Sequence, residues 1–241
     1  MSDPDNSETV LWLIRHPEPD EAVRGICYGS LDVPLSPHGI EQAQSIARWL
    51  SRHRLDAIYT SPSQRCVETA RCIAAGRSCP VEPADALREL DFGDFEGRPY
   101  NAIAELHPDL YREWMEHPTE VHFPGGENFK QMADRVIATT RELVSRHSGQ
   151  HLAFVSHGGA IRIILADALG VPPNNIFRIA QRYGAINCIR YTGSLPLVEL
   201  LNSASERPSG NSVAVPRGSQ RRAARLGGEQ PNPVKRIRDE R

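Results

Sequence analysis

The chain has 241 residues, of which 39% are hydrophobic and 24% are charged, and its formal net charge is −2. This length allows one substantial α/β domain or two small ones, and the hydrophobic content excludes a wholly disordered chain. No apolar run approaches the roughly 20 residues that a membrane-spanning helix needs, so no membrane partner is expected. The N-terminus is acidic and polar, unlike a secretory signal. Five cysteines without CxxC spacing indicate free thiols, and we expect a cytoplasmic protein.

Charge is distributed unevenly along the chain. Residues 203–241 carry nine Lys or Arg and four Asp or Glu, whereas residues 1–202 carry 19 and 26. The basic segment is also poor in apolar residues. We predict a flexible N-terminus at 1–9, one folded domain at 10–202, and a disordered basic tail from 203 onwards. The basic tail is the only feature of the sequence that favours a nucleic-acid partner, and we therefore do not expect one.

In chain order, the first element is an apolar run at residues 10–14, which ends in Arg15 and His16. Short β-branched and aromatic runs of this kind predict a buried central strand. Ligands of open α/β sheets lie beyond the carboxyl ends of the strands. This junction is therefore a candidate site.

Two helices follow, and each is preceded by a start signal. Ser36 and then Pro37 predict an N-cap and a first helical residue, and Ser61-Pro62 repeats the signal after a short strand at 56–59. Arg65 falls in the first turn of the second helix, where a strand end and a helix N-terminus attract anions. The predicted buried faces are Ile40, Ala43, Ile46, Ala47 and Leu50, then Cys66, Thr69, Ala70, Ile73 and Ala74.

The middle of the chain is less regular. Residues 76–99 are predicted to be mostly irregular, and residues 100–118 to be helical with breaks at Pro108 and Pro118. A loop at 124–128 precedes a helix. Its inner face is predicted to contain Phe129, Met132, Val136, Thr140, Leu143 and Val144.

A second apolar run, residues 152–156, predicts another buried strand and leads into His157 and Gly158. The last two strands, at 185–191 and 195–201, are predicted to form a hairpin. Strands separated by helices predict a three-layer α/β/α sandwich with a mostly parallel central sheet. The helix after His157 is predicted to end at Gly170 and to pack through Ile161, Ile164, Leu165, Ala168 and Leu169.

The two histidines would lie at one edge of such a sheet, because both follow the ends of parallel strands. Arg15 and Arg65 would reach the same edge, and arginine forks match the oxygens of a phosphoryl group. With one carboxylic acid added, the set can cleave a phosphate ester without a metal. One histidine attacks phosphorus, the cations stabilise the transferring oxygens, and the acid protonates the leaving oxygen.

Five motifs carry a resemblance to a known family. They are Arg15-His16, TSPSQRCVETA at 60–70, LREL at 87–90 with Gly93 and Glu96-Gly97 behind it, PGGE at 124–127, and VSHGG at 155–159. In this order they resemble the histidine phosphatases of the phosphoglycerate mutase-like superfamily over about residues 10–201. The resemblance implies a phosphoglycerate mutase-like fold. We expect a small phosphorylated substrate, no cofactor, and either a monomer or a homodimer.

The resemblance also implies a role for each matched residue. His16 would be the nucleophile that becomes phosphohistidine, and Glu89 would protonate the leaving group and then activate water. The remaining histidines fall in no metal-ligand spacing, and no metal is expected. The residues that would bind the substrate are Arg15, Arg65, His157, Gly158 and, at the predicted rim of the pocket, Tyr28.

The match has two departures that bear on the substrate. Pro17 stands where the family has glycine, and it removes a backbone N–H. The mutase-type Thr or Ser and Asn after Glu18 are missing, whereas residues 25–36 resemble the α-ribazole phosphatase group. We therefore predict a metal-independent phosphomonoesterase with α-ribazole 5′-phosphate as the candidate substrate. Phosphoglycerate mutase-type transfer and a non-catalytic phosphoryl-binding protein are the alternatives.

Three nearby charged side chains receive plainer interpretations. Glu18 and Asp32 are interpreted as solvated loop acids, and Arg162 as a structural ion-pair partner.

Rival enzyme classes fit less well. Phe154 occupies the first glycine position of a serine hydrolase elbow, no lysine follows a glycine as a P-loop requires, and no cysteine has an arginine six positions later.

Overall fold

A computed structural model describes residues 8–205, which contain a six-stranded sheet with helices on both faces. The strand order is β3-β2-β4-β1-β5-β6. Strands β1 to β4 are parallel, and β5 and β6 add an antiparallel hairpin next to β1. The strands are β1 (Glu8–Arg15), β2 (Ala57–Thr60), β3 (Val81–Pro83), β4 (His151–Ser156), β5 (Ile186–Thr192) and β6 (Leu195–Ser203).

The helices form the outer layers of the predicted three-layer α/β/α sandwich, which is confirmed. They are α1 (Pro37–Leu50), α2 (Gln64–Ala74), α3 (Tyr100–Leu106), α4 (Pro108–Glu116), α5 (Phe129–Arg146) and α6 (Gly158–Leu169). Side chains alternate between the two faces along β1, as a strand requires. Leu11 and Leu13 pack on the α5 and α6 side, while Trp12 and Ile14 pack on the α1 and α2 side.

Strands β1 and β4 lie at the centre and end level with each other. Their register pairs Leu11 with Leu152 and Arg15 with Ser156. Both strands are buried on both faces because each lies between two other strands and two helical layers. The polar residues that follow both strands therefore meet at one edge of the sheet, as predicted.

Several predicted elements have the expected bounds. Ser36 caps α1 by accepting a hydrogen bond from the Gly39 N–H at 2.9 Å, and the helical stretch at 100–118 breaks before Pro108. Helix α5 begins with a capping box at Asn128. Gly170 ends α6 in the left-handed conformation.

Three details of the sequence interpretation are wrong. Ile40 and Leu169 were assigned to buried helix faces, but they are 45% and 49% exposed because each lies on the solvent side of its helix. Helix α2 begins at Gln64 rather than after Ser61-Pro62. Ser61 instead extends the end of β2, and its hydroxyl contacts a side chain of the site.

The folded domain begins slightly earlier than residue 10, the predicted limit. Strand β1 begins at Glu8, and Thr9 pairs with Tyr191 of β5, so both residues belong to the sheet. The predicted flexible N-terminus otherwise lies outside the described residues, as does nearly all of the predicted basic tail. Within residues 8–205, no helix is long and apolar enough to cross a membrane.

Candidate active site

The two predicted histidines meet beyond the ends of β1 and β4. The His16 N–H donates to the Ser156 carbonyl at 2.9 Å and continues the parallel pairing by one residue. The rings of His16 and His157 lie 5.2 Å apart between their centroids, and both are buried. The site therefore contains the pair of imidazoles that the strand ends predict.

One tautomer of neutral His16 fits its surroundings. Nδ1 lies 2.8 Å from the Pro17 carbonyl oxygen, and a carbonyl can only accept, so Nδ1 carries the proton. The lone pair of the ring then lies on Nε2. Burial lowers the pKa of His16 well below its usual value, and the guanidinium groups of Arg65 and Arg15 lower it further. His16 is thus held as a neutral imidazole with a free ring nitrogen.

Arg65 reaches the site from the first turn of α2. That turn is fixed from a distance, because the Gln64 N–H donates to Asp32 Oδ1 at 2.7 Å. Asp32 is exposed, as its interpretation as a solvated loop acid requires, but it also caps the first turn of α2. The fully buried Arg65 side chain donates to the carbonyl oxygens of Gly29 and Leu31 at 2.8 and 2.9 Å. Its Nε is buried and has no hydrogen-bond partner within residues 8–205.

His157 is held by its neighbours at both ring nitrogens. Nε2 lies 2.8 Å from Ser61 Oγ, and Nδ1 lies 3.2 Å from Arg65 Nη2. Because a guanidinium only donates, Nδ1 accepts and Nε2 carries the proton. Burial lowers the pKa of His157 well below its usual value, as do the charges of Arg65 and Arg15. His157 therefore orients Arg65 at the site.

Arg15 enters the site from the end of β1. Its Nη1 donates to the Gln181 carbonyl at 2.6 Å, and its Cζ lies 4.2 Å from the centre of the Tyr183 ring. Its Nε is buried and unpartnered among the described residues. Neither Arg15 nor Arg65 forms an ion pair with a carboxylate within residues 8–205. Fully buried Arg65 and half-buried Arg15 should attract an anion, because a charge that is removed from water without a partner is costly.

Glu89 lies beside the start of α6, next to Gly159. Its carboxylate accepts from the backbone N–H groups of Gly159 at 2.9 Å and Leu90 at 3.1 Å. A Cβ on Gly159 would lie 2.2 Å from Glu89 Oε1, so any side chain at this position would displace the carboxylate. Arg135 supports the loop that carries Glu89 by donating to the Ala86, Arg88 and Glu89 carbonyls and by pairing with Glu127.

The family is decided by comparison with known proteins. A family model described as histidine phosphatase superfamily (branch 1) matches residues 11–204. The chain belongs to the histidine phosphatase superfamily. The family and the phosphatase class predicted from the motifs are thereby confirmed.

Individual relatives and solved structures agree with the family. Phosphoserine phosphatase 1 of Hydrogenobacter thermophilus is 37% identical over 161 residues, which are 67% of this chain and 76% of that protein. The adenosylcobalamin/α-ribazole phosphatase of Escherichia coli (strain K12) is 30% identical over 196 residues, 80% of this chain and 95% of that protein. The crystal structure of the α-ribazole phosphatase from Shigella flexneri aligns with a TM-score of 0.75 at 29% identity, over 84% of this chain and all of that one.

Tyr28 lies at the rim of this histidine phosphatase site, where it was predicted. Its hydroxyl is 2.5 Å from the Tyr183 hydroxyl, and its ring lies 5.4 Å from Arg65 Cζ. Burial raises the pKa of the Tyr28 phenol, and the neighbouring Tyr183 raises it further. Cys27, the residue before Tyr28, is fully buried in the core.

Sequence reasoning missed the segment that closes the site next to Arg15. Gln181 and Tyr183 come just before β5, which runs antiparallel to β1, so the start of β5 lies beside the end of β1. The hairpin was predicted, but its place in the sheet was not. The available signal was that polar residues come just before the first strand of the hairpin. It points to the site only once that strand is known to pair antiparallel with β1.

Sequence reasoning also gave Glu96 no role in the site. Its two carboxylate oxygens accept hydrogen bonds from four backbone N–H groups, which belong to Gly29, Ser30, Leu31 and Phe92. The same loop presents the carbonyl oxygens that hold Arg65. Glu96 therefore fixes the loop against which the Arg65 guanidinium is oriented.

Two other sequence interpretations are wrong. Glu18 is not a solvated acid, because its carboxylate accepts from the Ser36 hydroxyl at 3.0 Å and helps to fix the start of α1. Arg162 is not an ion-pair partner within the described part of the chain, since its Nε donates to the Ile179 carbonyl at 2.9 Å. Over the same residues, no group of three or more His, Cys, Asp or Glu could hold a metal ion.

Proposed function

We propose that this phosphatase hydrolyses the phosphomonoester of a small metabolite without a metal, through a phosphohistidine at His16. One observation carries the proposal. The guanidinium groups of half-buried Arg15 and fully buried Arg65 pair with no carboxylate within residues 8–205, and they flank a neutral His16 imidazole whose proton is held on Nδ1 by the Pro17 carbonyl. Two cations would hold the phosphoryl oxygens, and the nucleophile between them carries a free lone pair.

The first step forms a bond between His16 Nε2 and phosphorus while the bond from phosphorus to the leaving oxygen breaks. Arg15 and Arg65 would stabilise the charge on the phosphoryl oxygens as it is transferred. His157 would support this by holding Arg65 in place. For direct contact with a phosphoryl oxygen, its Nδ1 would have to release that guanidinium and take up a proton. Glu89, protonated at this stage, would give its proton to the leaving oxygen.

The second step returns the enzyme to its starting state. Glu89, now a carboxylate, would take a proton from water as the water oxygen attacks phosphorus, and the bond between phosphorus and His16 breaks. The products are the alcohol and inorganic phosphate. The position of Glu89 at the start of α6, directly after His157, supports this double role.

The leaving group defines the finer function. The names of the relatives suggest α-ribazole 5′-phosphate, which the segment at 25–36 also favours, and phosphoserine. These substrates share the phosphomonoester and differ in the alcohol. The residues on the leaving-group side of the site must therefore distinguish them.

The test is hydrolysis of p-nitrophenyl phosphate in excess EDTA by the wild type, His16→Ala and His38→Ala. His38 is an exposed residue of α1 and serves as the matched control. We expect metal-independent turnover that falls at least about a thousandfold in His16→Ala and is unchanged in His38→Ala. An acid-labile phosphoenzyme should form in the wild type but not in His16→Ala. Full activity in folded His16→Ala would overturn the proposal.

A further inference from the structure

The leaving-group side of the site contains a third arginine. Arg162 lies in the second turn of α6, four residues after Gly158, and side chains with this spacing share one face of a helix. Its guanidinium points back over the start of α6: a Cβ on Gly158 would lie 3.0 Å from Arg162 Nη1 and 3.2 Å from Arg15 Cζ. The two guanidinium groups thus border the same small space.

The surroundings of Arg162 leave its Nη groups available. Nε donates to the Ile179 carbonyl, and the guanidinium lies over the ring of Phe177, with Cζ 5.6 Å from the ring centre. Within residues 8–205, no carboxylate pairs with it. Burial lowers the pKa of Arg162 to about 10, as does the charge of Arg15, while Glu89 opposes the shift. The side chain is therefore charged at neutral pH and lies near both Arg15 and Glu89.

We infer that Arg162 is a specificity-determining residue that binds a carboxylate on the leaving group of the substrate. This inference rests on the proposed function, because Glu89 marks where the leaving oxygen must lie. A substituent that extends from this oxygen towards Arg15 would meet Nη1 and Nη2 of Arg162, because Nε is already bound to the Ile179 carbonyl. Two parallel N–H groups on these nitrogens match the two oxygens of a carboxylate.

Charge balance favours a carboxylate over a second phosphate. Arg15, Arg65 and Arg162 together carry three positive charges, and the two histidines of the site are neutral. A phosphomonoester carries about two negative charges at neutral pH, and one carboxylate supplies the third. The preferred substrates are therefore phosphomonoesters of small hydroxy acids rather than of neutral alcohols.

The experiment compares O-phosphoserine with O-phosphoethanolamine, which differ only in the carboxylate. We would measure kcat/KM for both substrates with the wild type, Arg162→Met, Arg162→Lys and Arg141→Met. Arg141 is an exposed arginine of α5 paired with Asp167, and its loss controls for the removal of one positive charge. Melting temperatures of all four proteins show whether the fold is retained.

We expect the wild type and Arg141→Met to prefer phosphoserine by about tenfold to a hundredfold, the usual effect of a charge-assisted hydrogen bond. In Arg162→Met the preference should disappear while phosphoethanolamine turnover stays within about threefold. Arg162→Lys should retain part of the preference, because it keeps the charge but loses the fork. An unchanged preference in Arg162→Met, or an equal loss for both substrates, would overturn the inference.

The failure of the proposed function has a different signature. If the wild type hydrolyses neither substrate nor p-nitrophenyl phosphate, the phosphatase mechanism is wrong. Binding of phosphoserine and phosphoethanolamine by calorimetry then tests the carboxylate subsite alone. Tighter binding of phosphoserine that is lost in Arg162→Met supports the subsite, and equal binding of the two rejects it.

Discussion

His16 Nδ1 and the carbonyl oxygen of Pro17 lie 2.8 Å apart and form a hydrogen bond between adjacent residues. The sequence raised the concern that proline at position 17 removes a backbone N–H from the site. The contact that fixes the tautomer of His16 uses the carbonyl of that residue, which proline retains. The departure from the family glycine therefore leaves the orientation of the imidazole intact.

The depressed pKa values of His16 and His157 make the stability of the protein depend on pH. Both are held neutral by burial and by the neighbouring guanidinium groups. Below their ordinary pKa near 6.5, the unfolded chain binds protons that the folded chain does not. The free energy of unfolding must then fall as the pH falls, by up to about 1.4 kcal/mol per pH unit for each histidine.

Urea unfolding between pH 5 and pH 8 measures this dependence. We expect His157→Asn to have a shallower slope below pH 6.5 than the wild type, with the two curves parallel above pH 7. His38→Asn, at an exposed site, should retain the wild-type slope. Equal slopes for the wild type and His157→Asn would show that His157 is not held neutral in the folded state.

The central sheet could be predicted because its strands carry their own local signals. Uninterrupted apolar runs such as 152–155 are typical of strands that are buried on both faces. Both histidines of the site follow such strands directly, so the parallel arrangement alone brings them together. The start of α1 could be predicted for the same reason, since Ser36 and Pro37 are adjacent in sequence.

The remaining features of the site depend on contacts between residues far apart in sequence. Helix α2 starts at Gln64 because Asp32, in a distant loop, accepts from its N–H. Tyr183 reaches Arg15 only because β5 adds to the sheet beside β1. Neither contact leaves a periodic pattern or a local start signal, and both became visible only in the folded chain.

Loss of the backbone hydrogen bonds that the Glu96 carboxylate accepts should weaken phosphate binding. In Glu96→Gln, an amide NH₂ replaces one oxygen and faces backbone N–H groups that it cannot bind. We expect the free energy of unfolding to fall by about 1–3 kcal/mol. The carbonyls of the loop at 29–31 would then hold Arg65 less firmly, and KM should rise.

The measurement is the inhibition constant of inorganic phosphate together with KM and kcat for p-nitrophenyl phosphate. Glu142→Gln, which breaks an exposed ion pair of α5, is the matched control. A purely structural role for Glu96 would lower stability without changing the phosphate inhibition constant. That outcome would remove Glu96 from the residues that position the site.

A methyl group at position 159 should separate the two proposed roles of the site, phosphoryl binding and leaving-group protonation. In Gly159→Ala the new Cβ would meet Glu89 Oε1 at 2.2 Å and Cδ at 3.1 Å, so the carboxylate must move. Alanine is favoured over glycine inside a helix, which keeps α6 intact. The atoms nearest to the new Cβ belong to Glu89 and Met132 and not to His16 or Arg65, so we expect phosphoryl binding to be retained.

We therefore expect kcat for an alkyl phosphate to fall by about a hundredfold in Gly159→Ala, because its poor leaving group needs the proton from Glu89. The fall for p-nitrophenyl phosphate should be less than about tenfold, since nitrophenolate leaves without a proton. Glu89→Gln should show the same pattern, and the double variant should be no worse than Glu89→Gln alone, because both changes remove one function. Additive losses in the double variant would mean that Gly159 acts on the reaction by a route other than the position of Glu89.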